Sequence, residues 1–164
     1  MIFKRMGGMA VLFALLAFPV SASMVSFSLV ETGLSDDVPG SQVTSLWEGG
    51  LMSAFFDAGH IVTNSPIARM KDKPAGDSLS GQLMDDFNEA VNGGADYFIM
   101  GVLEYQNQGG RAVPIEIAVK VYEADSEKVI YEQRFPAGKG KNLDEEYKNA
   151  QDAGRIISSH LSQR

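Results

Sequence analysis

The sequence contains no cysteine. That absence excludes thiol catalysis, Cys-ligated zinc and any disulfide staple. It also removes the residue that carries the lipid of a bacterial lipoprotein, so a soluble chain without an anchor of its own is expected. Imidazole is scarce: His60 and His160 are the only two, at a helix exit and near the C-terminus, without the Asp/Glu spacing of a metal site. Cationic residues are few, 14 Lys and Arg against 21 Asp and Glu, for a net charge of −7. Nucleic acid and anionic membrane surfaces are bound through a surplus of Lys and Arg, so neither is an expected partner. No apolar run reaches the roughly 20 residues that a membrane-spanning helix needs.

The run that does exist, Met9 to Phe18, follows Lys4 and Arg5 and precedes Val20-Ser21-Ala22. A positive start, a short apolar stretch and small residues at the −3 and −1 positions form the pattern that a signal peptidase reads. Residues 1–22 are therefore expected to be a signal peptide cleaved after Ala22, giving a periplasmic chain of residues 23–164 that begins at Ser23. The leader takes two positive charges with it, so the balance becomes 12 against 21, or −9. The remaining 142 residues suffice for one αβ domain with a full core.

Periodicity divides that domain. Val25, Phe27 and Leu29 alternate with small residues as a strand, and Glu31 to Ser41 is a loop by its Gly, Asp and Pro content. A helix fits Gln42 to Ala58, with Val43, Trp47, Leu51, Ala54 and Phe55 on one stripe and Gly59 at its end. Gly49 and Gly50 inside it each cost about 1 kcal/mol relative to Ala, which close packing on a sheet would offset. His60 to Asn64 is a short strand, and Ser65 to Gly76 a polar loop. A second helix spans Ser78 to Asn92, with Leu79, Leu83, Phe87 and Val91 inward and Asp85, Asp86 and Glu89 outward. Tyr97 to Leu103 is apolar on both faces, as a covered strand reads. Two alternating strands around Ile115–Tyr122 and Val129–Phe135 make a hairpin. Asn142, with Glu145 three residues on, caps a last helix whose stripe is Leu143, Tyr147, Ala150, Gly154, Ile157 and Leu161. The order β-α-β-α-β-β-β-α implies a mixed sheet of about five strands packed with three helices, an α/β (α+β mixed) single domain.

That order, with Gly94-Ala95-Asp96-Tyr97-Phe98-Ile99-Met100-Gly101 after the second helix, resembles a group of bacterial envelope domains. The group includes the curli secretion lipoprotein, the outer-membrane activator of a penicillin-binding protein and the N-terminal domain of TolB. The resemblance covers the layout from about Met24 to Leu161 and, in specific residues, Gly94 to Gly101. It implies a non-catalytic binding or scaffolding module. The curli and activator types carry a lipid-bearing Cys that this sequence lacks.

The motifs that could carry chemistry do not assemble. Gly76-Asp77-Ser78-Leu79 spells the start of a GDSL hydrolase motif, and Asp57 to His60 an Asp-x-x-His, but their order along the chain is reversed and no apolar strand feeds the serine. Asp77 or Ser78 as a helix cap is the simpler reading. Gly138-Lys139-Gly140-Lys141 lacks the spacing and hydroxyl of a phosphate loop and reads as a basic turn. Asp144-Glu145-Glu146 sits where a helix dipole favours negative charge. Asp85 and Asp86 are adjacent, not a dyad. No catalytic, cofactor or metal residues are assigned. The expected function is an envelope binding or accessory module acting on a protein partner, with Asp36 and Asp37 on the first long loop, the second loop and any open edge strand as contact surface. A small serine hydrolase using Ser78 and a structural subunit of an envelope assembly are the alternatives.

Overall fold

The strand β1 (Met24–Thr32) organises the molecule, being buried along nearly its whole length with neighbours on both sides. A computed structural model describes residues 22–35 and 42–163. The expected leader, other than Ala22, lies outside the described residues, as do Asp36 and Asp37. After β1 come α1 (Gln42–Asp57), β2 (Ile61–Asn64), β3 (Ala68–Met70), α2 (Gln82–Asn92), β4 (Tyr97–Gln108), β5 (Arg111–Glu123), β6 (Lys128–Pro136) and α3 (Leu143–Leu161). The expected mixed sheet with three helices is present. It gains a sixth strand, β3, inside the stretch read as a polar loop, because Ala68 turns into the core beneath α2.

The sheet runs β2-β1-β4-β5-β6, with β3 beside the far end of β1. Strands β2, β3 and β4 all run parallel to β1, whereas β4, β5 and β6 form an antiparallel meander. Gly109 and Gly110 adopt φ of +61° and +83°, the left-handed pair that a two-residue hairpin turn demands. Their tight turn lets β4 continue to Gln108, past the end its apolar run marks.

Helices cover both faces. Val25, Phe27, Leu29, Ile99, Ile117 and Val119 pack under α1 and α3, while Val30, Phe98, Met100, Val102 and Tyr122 pack under α2. Coverage on both sides explains the unbroken apolar run of β4. Phe27 meets Phe55 edge-on at 5.3 Å, and Phe87 meets Phe98 likewise at 5.4 Å, one such pair in each layer.

The glycines of α1 serve a helix and not the sheet. A Cβ on Gly50 would stand 2.5 Å from the Ala150 Cβ, and one on Gly154 would stand 2.7 Å from the Ala54 Cβ. Gly50-x-x-x-Ala54 and Ala150-x-x-x-Gly154 thus interlock, and α1 and α3 run side by side in the same direction. Gly49 only brushes the Tyr147 ring, at 3.5 Å. The α3 stripe accordingly divides between α1 and the sheet, and its first member, Leu143, is exposed.

Two expectations for α2 are corrected. The helix starts at Gln82, after Gly81 at φ +56°, with no side-chain cap, because Asp77 is drawn to Lys120 instead. Asp86 faces inward and accepts a hydrogen bond of 2.6 Å from the buried Ser28 hydroxyl. That partner makes burial of a carboxylate tolerable.

Candidate functional site

The serine and the histidine of the hydrolase reading lie on opposite faces of the sheet. Ser78 precedes Leu79, which packs in the α2 layer, whereas the His60 ring lies 5.4 Å from Phe55 in the α1 layer. Burial lowers the His60 pKa, with the Ser23 backbone opposing in part. His160 packs at 4.8 Å on Tyr131 of the edge strand, away from His60.

The Gly138-Lys139-Gly140 turn does hold an anion, and the anion is the protein's own. Glu146 turns inward from the first turn of α3 and is only 3% exposed. Its Oε1 accepts from Gly138 N–H and from the Trp47 indole, both at 2.7 Å, and its Oε2 accepts from Gly140 N–H at 2.8 Å. Of the three acidic residues read as helix N-terminus stabilisation, one is therefore a buried tether for the β6–α3 turn. Glu145 stays at the helix start, its amide donating to Asn142 Oδ1 at 2.8 Å and its carboxylate accepting from Lys141 N–H at 2.9 Å.

The edge strands are poor docking rails. In β6, Tyr131 pairs with Val121 and Val129 with Tyr122, so Ile130 is bulged. Lys128, Arg134 and Pro136 flank the bulge. Bulge, charge and proline are the devices that discourage strand addition. The opposite edge, β2, is four residues long.

The loops converge. Thr32, the last residue of β1, is the register partner of Met70, the last of β3, so the segments that follow, 33–35 and 71–81, leave the sheet side by side. Beneath them is a buried polar network that sequence reasoning missed. Glu31, 3% exposed, accepts from Thr44 Oγ1 at 2.6 Å and from Arg69 Nη2 at 2.9 Å. Thr44 Oγ1 lies 2.8 Å from the Tyr105 hydroxyl, and Arg69 Nη1 donates to the Ser35 carbonyl at 3.2 Å. The network ties β1, β3, β4 and the start of α1 together under the two loops. Its one sequence signal was Glu31, a carboxylate continuing an apolar alternation.

Segment 71–81 lies across the part of the β4–β5–β6 face that α2 leaves open. Its fastenings are ionic: Lys73 reaches Glu104 and Glu116, and Lys120 Nζ donates to the Gly76 carbonyl and to Asp77 Oδ1, both at 2.6 Å. Arg134 pairs with Glu116 at 2.5 Å from the edge strand. Underneath is a cavity of 330 Å³ against Met100, Val102 and Ala118, and a second of 460 Å³ lies against Leu79, Met84 and Val129; Asp77 borders both. Burial, with the charges of Asp77 and Glu132, pushes the Tyr122 phenol up to about 12.

Among the described residues, no helix is long and apolar enough to cross a membrane. No curated protein matches the chain. Among solved structures, the PelC dodecamer from Paraburkholderia phytofirmans is similar with a TM-score of 0.51, at 11% identity over 84% of this chain and 86% of that one. TolB from Acinetobacter baumannii is similar with a TM-score of 0.38, at 14% identity over 87% of this chain and 28% of TolB. Lipoprotein GNA1162 from Neisseria meningitidis is similar with a TM-score of 0.40, at 14% identity over 87% of this chain and 95% of that one. The PelC likeness shows a shared fold, and a shared fold leaves function to be argued from this chain's own residues. A family model described as "Uncharacterised protein" matches residues 24–162, and the chain belongs to that family.

Proposed function

We propose that this protein is an exported, non-catalytic binding or accessory module of the bacterial cell envelope, processed after Ala22 and acting on a protein partner through its two long loops. The observation that carries the reading is the pairing of Thr32 with Met70, which sets the starts of the two loops, Gly33 and Lys71, together at the carboxyl ends of parallel strands. Ligands of open αβ sheets gather at such ends, and binding residues gather on loops held by a rigid base. The Glu31–Arg69–Thr44–Tyr105 network is that base. The leader pattern and the resemblance of Gly94–Gly101 to envelope domains support the location.

The test is crosslinking in live cells with the wild-type protein and with Asp36→Lys/Asp37→Lys. A captured envelope protein that the double variant loses, at an unchanged melting temperature, supports the proposal. Equal capture by both removes the loop from the interface. Mass analysis of the exported protein should find Ser23 first, and an intact Met1 in the soluble cytoplasm overturns the location. Turnover of an ester, peptide or glycan that Ser78→Ala abolishes would favour the hydrolase instead.

PelC is described as a dodecamer, and here Phe56 on α1 is 68% exposed. A subunit of a larger assembly is the second reading, and it predicts that the crosslinks join copies of this chain, with Phe56→Ser abolishing them.

A further inference from the structure

We propose that the trough under segment 71–81 binds an amphiphile with a carboxylate head, the head taking the place of Asp77 on Lys120. The proposal stands apart from the protein-partner reading, and either can fail alone.

Charge is the first argument. Of the four cations that border the two cavities, Lys73 and Arg134 are taken up by Glu104 and Glu116 and Lys128 stands at the second cavity, so Lys120 is the cation held against the apolar floor, with Asp77 at 2.6 Å and Glu132 at 3.9 Å as its carboxylates. A single carboxylate head fits that one seat, whereas an anionic surface would meet the acidic groups around it. Size and lining are the second. Cavities of 330 and 460 Å³ fall within the range of small-molecule sites, and the apolar walls of each stand beside charged groups, five of them around the smaller. Met100, Val102 and Ala118 form one wall, and Leu79, Met84 and Val129 another, so a chain of methylenes meets carbon along both.

The third argument is the exchange itself. Lys120 Nζ is held in the trough, its side chain 13% exposed, while its partner Asp77 is 70% exposed on a segment with no helix or strand of its own. An ion pair with one partner so exposed contributes little to stability, so replacing one carboxylate by another is nearly neutral. Burial of the tail then supplies the net affinity. Asp77 occupies the head site as an internal stand-in, and its displacement leaves segment 71–81 held by Lys73 and by the bond from Lys120 to the Gly76 carbonyl.

Titration of the mature chain with dodecanoate below its micelle concentration tests the idea, followed by calorimetry and by Trp47 fluorescence, which reports the fold from the opposite layer. One saturable site is expected. Asp77→Asn should bind several-fold tighter, Lys120→Met at least tenfold weaker, and Ala118→Leu, which fills the cavity, should lose binding, all with native Trp47 emission. Lys120→Gln serves if Lys120→Met fails to fold. Acetate binding as tightly as dodecanoate, dodecyltrimethylammonium binding equally well, binding unchanged in Ala118→Leu, or no binding at all would each overturn the proposal.

Discussion

Trp47 and Glu146 stand 99 positions apart, and the indole N–H of one donates to the carboxylate of the other at 2.7 Å inside the α1–α3 layer. The same oxygen accepts from Gly138 N–H, so one atom joins α1, α3 and the turn before α3. Glu146→Ala strands three donors at once, and each unpaired buried donor costs about 1–3 kcal/mol before relaxation. A loss of at least about 2 kcal/mol is expected in denaturant unfolding. Acetate or formate should restore part of the melting temperature of Glu146→Ala and leave the wild type unchanged. An unaltered midpoint would mean that the tether is idle.

Adjacent glycines should respond with opposite sign. Gly50→Ala drives a methyl to 2.5 Å from the Ala150 Cβ and should cost about 1–3 kcal/mol as overpacking. Gly49→Ala meets the Tyr147 ring at an ordinary 3.5 Å and should stabilise by up to about 1 kcal/mol through helix propensity. Thermal melts of the two variants decide the matter, and equal responses would remove the interlocked stripe.

At high pH, Tyr122 should govern part of the stability. Its hydroxyl is buried without a hydrogen-bond partner among the described residues. With the phenol raised from 10.0 to about 12, the folded state keeps a proton that the unfolded chain releases. The contribution is complete below pH 10 and is lost as pH rises towards 12. Tyr122→Phe should flatten that decline and match or exceed wild-type stability at pH 7, since it removes an unpaired polar atom. A decline of the same steepness in the variant would show that other groups cause it.

On the acid side the sign is reversed. The His60 pKa is lowered from 6.5, so below pH 6.5 the unfolded chain takes up a proton that the folded one resists. Stability present above pH 6.5 should fall as pH falls, and His60→Gln should shrink the drop in melting temperature between pH 7 and pH 5. Parallel curves for the two proteins would count against the buried imidazole.

Apolar periodicity reported what touches the sheet and failed where polar groups do the packing. Phe27, Phe55, Phe98 and Ile157 were all legible as core from spacing alone, and they are fully buried. Asp86 was read as facing outward and Glu146 as helix-end charge because a carboxylate gives no sign of an inward partner, and Ser28 and Trp47 lie 58 and 99 positions away. Gly50 marks a close approach, but the expected partner was the sheet and the actual one is Ala150 of α3. The strand β3 was illegible because three residues carry too little alternation to register. At the candidate site, the length of the two loops was visible, but the adjacency of their starts at Gly33 and Lys71 depends on the Thr32–Met70 register, which no local pattern encodes.

The place of β1 in the sheet also has a kinetic side. The strand made first finds its partners β2, β3 and β4 only later in the chain, and α1 waits for α3 at the far end. High sequence separation between contacts slows folding and leaves apolar strands uncovered during synthesis. Phe27 meets Phe55 of α1 early, but Leu29 and Val30 have no β4 neighbour until Tyr97–Glu104 has emerged, and the α1–α3 layer closes last. A sheet arranged so is completed only after most of the chain has been made.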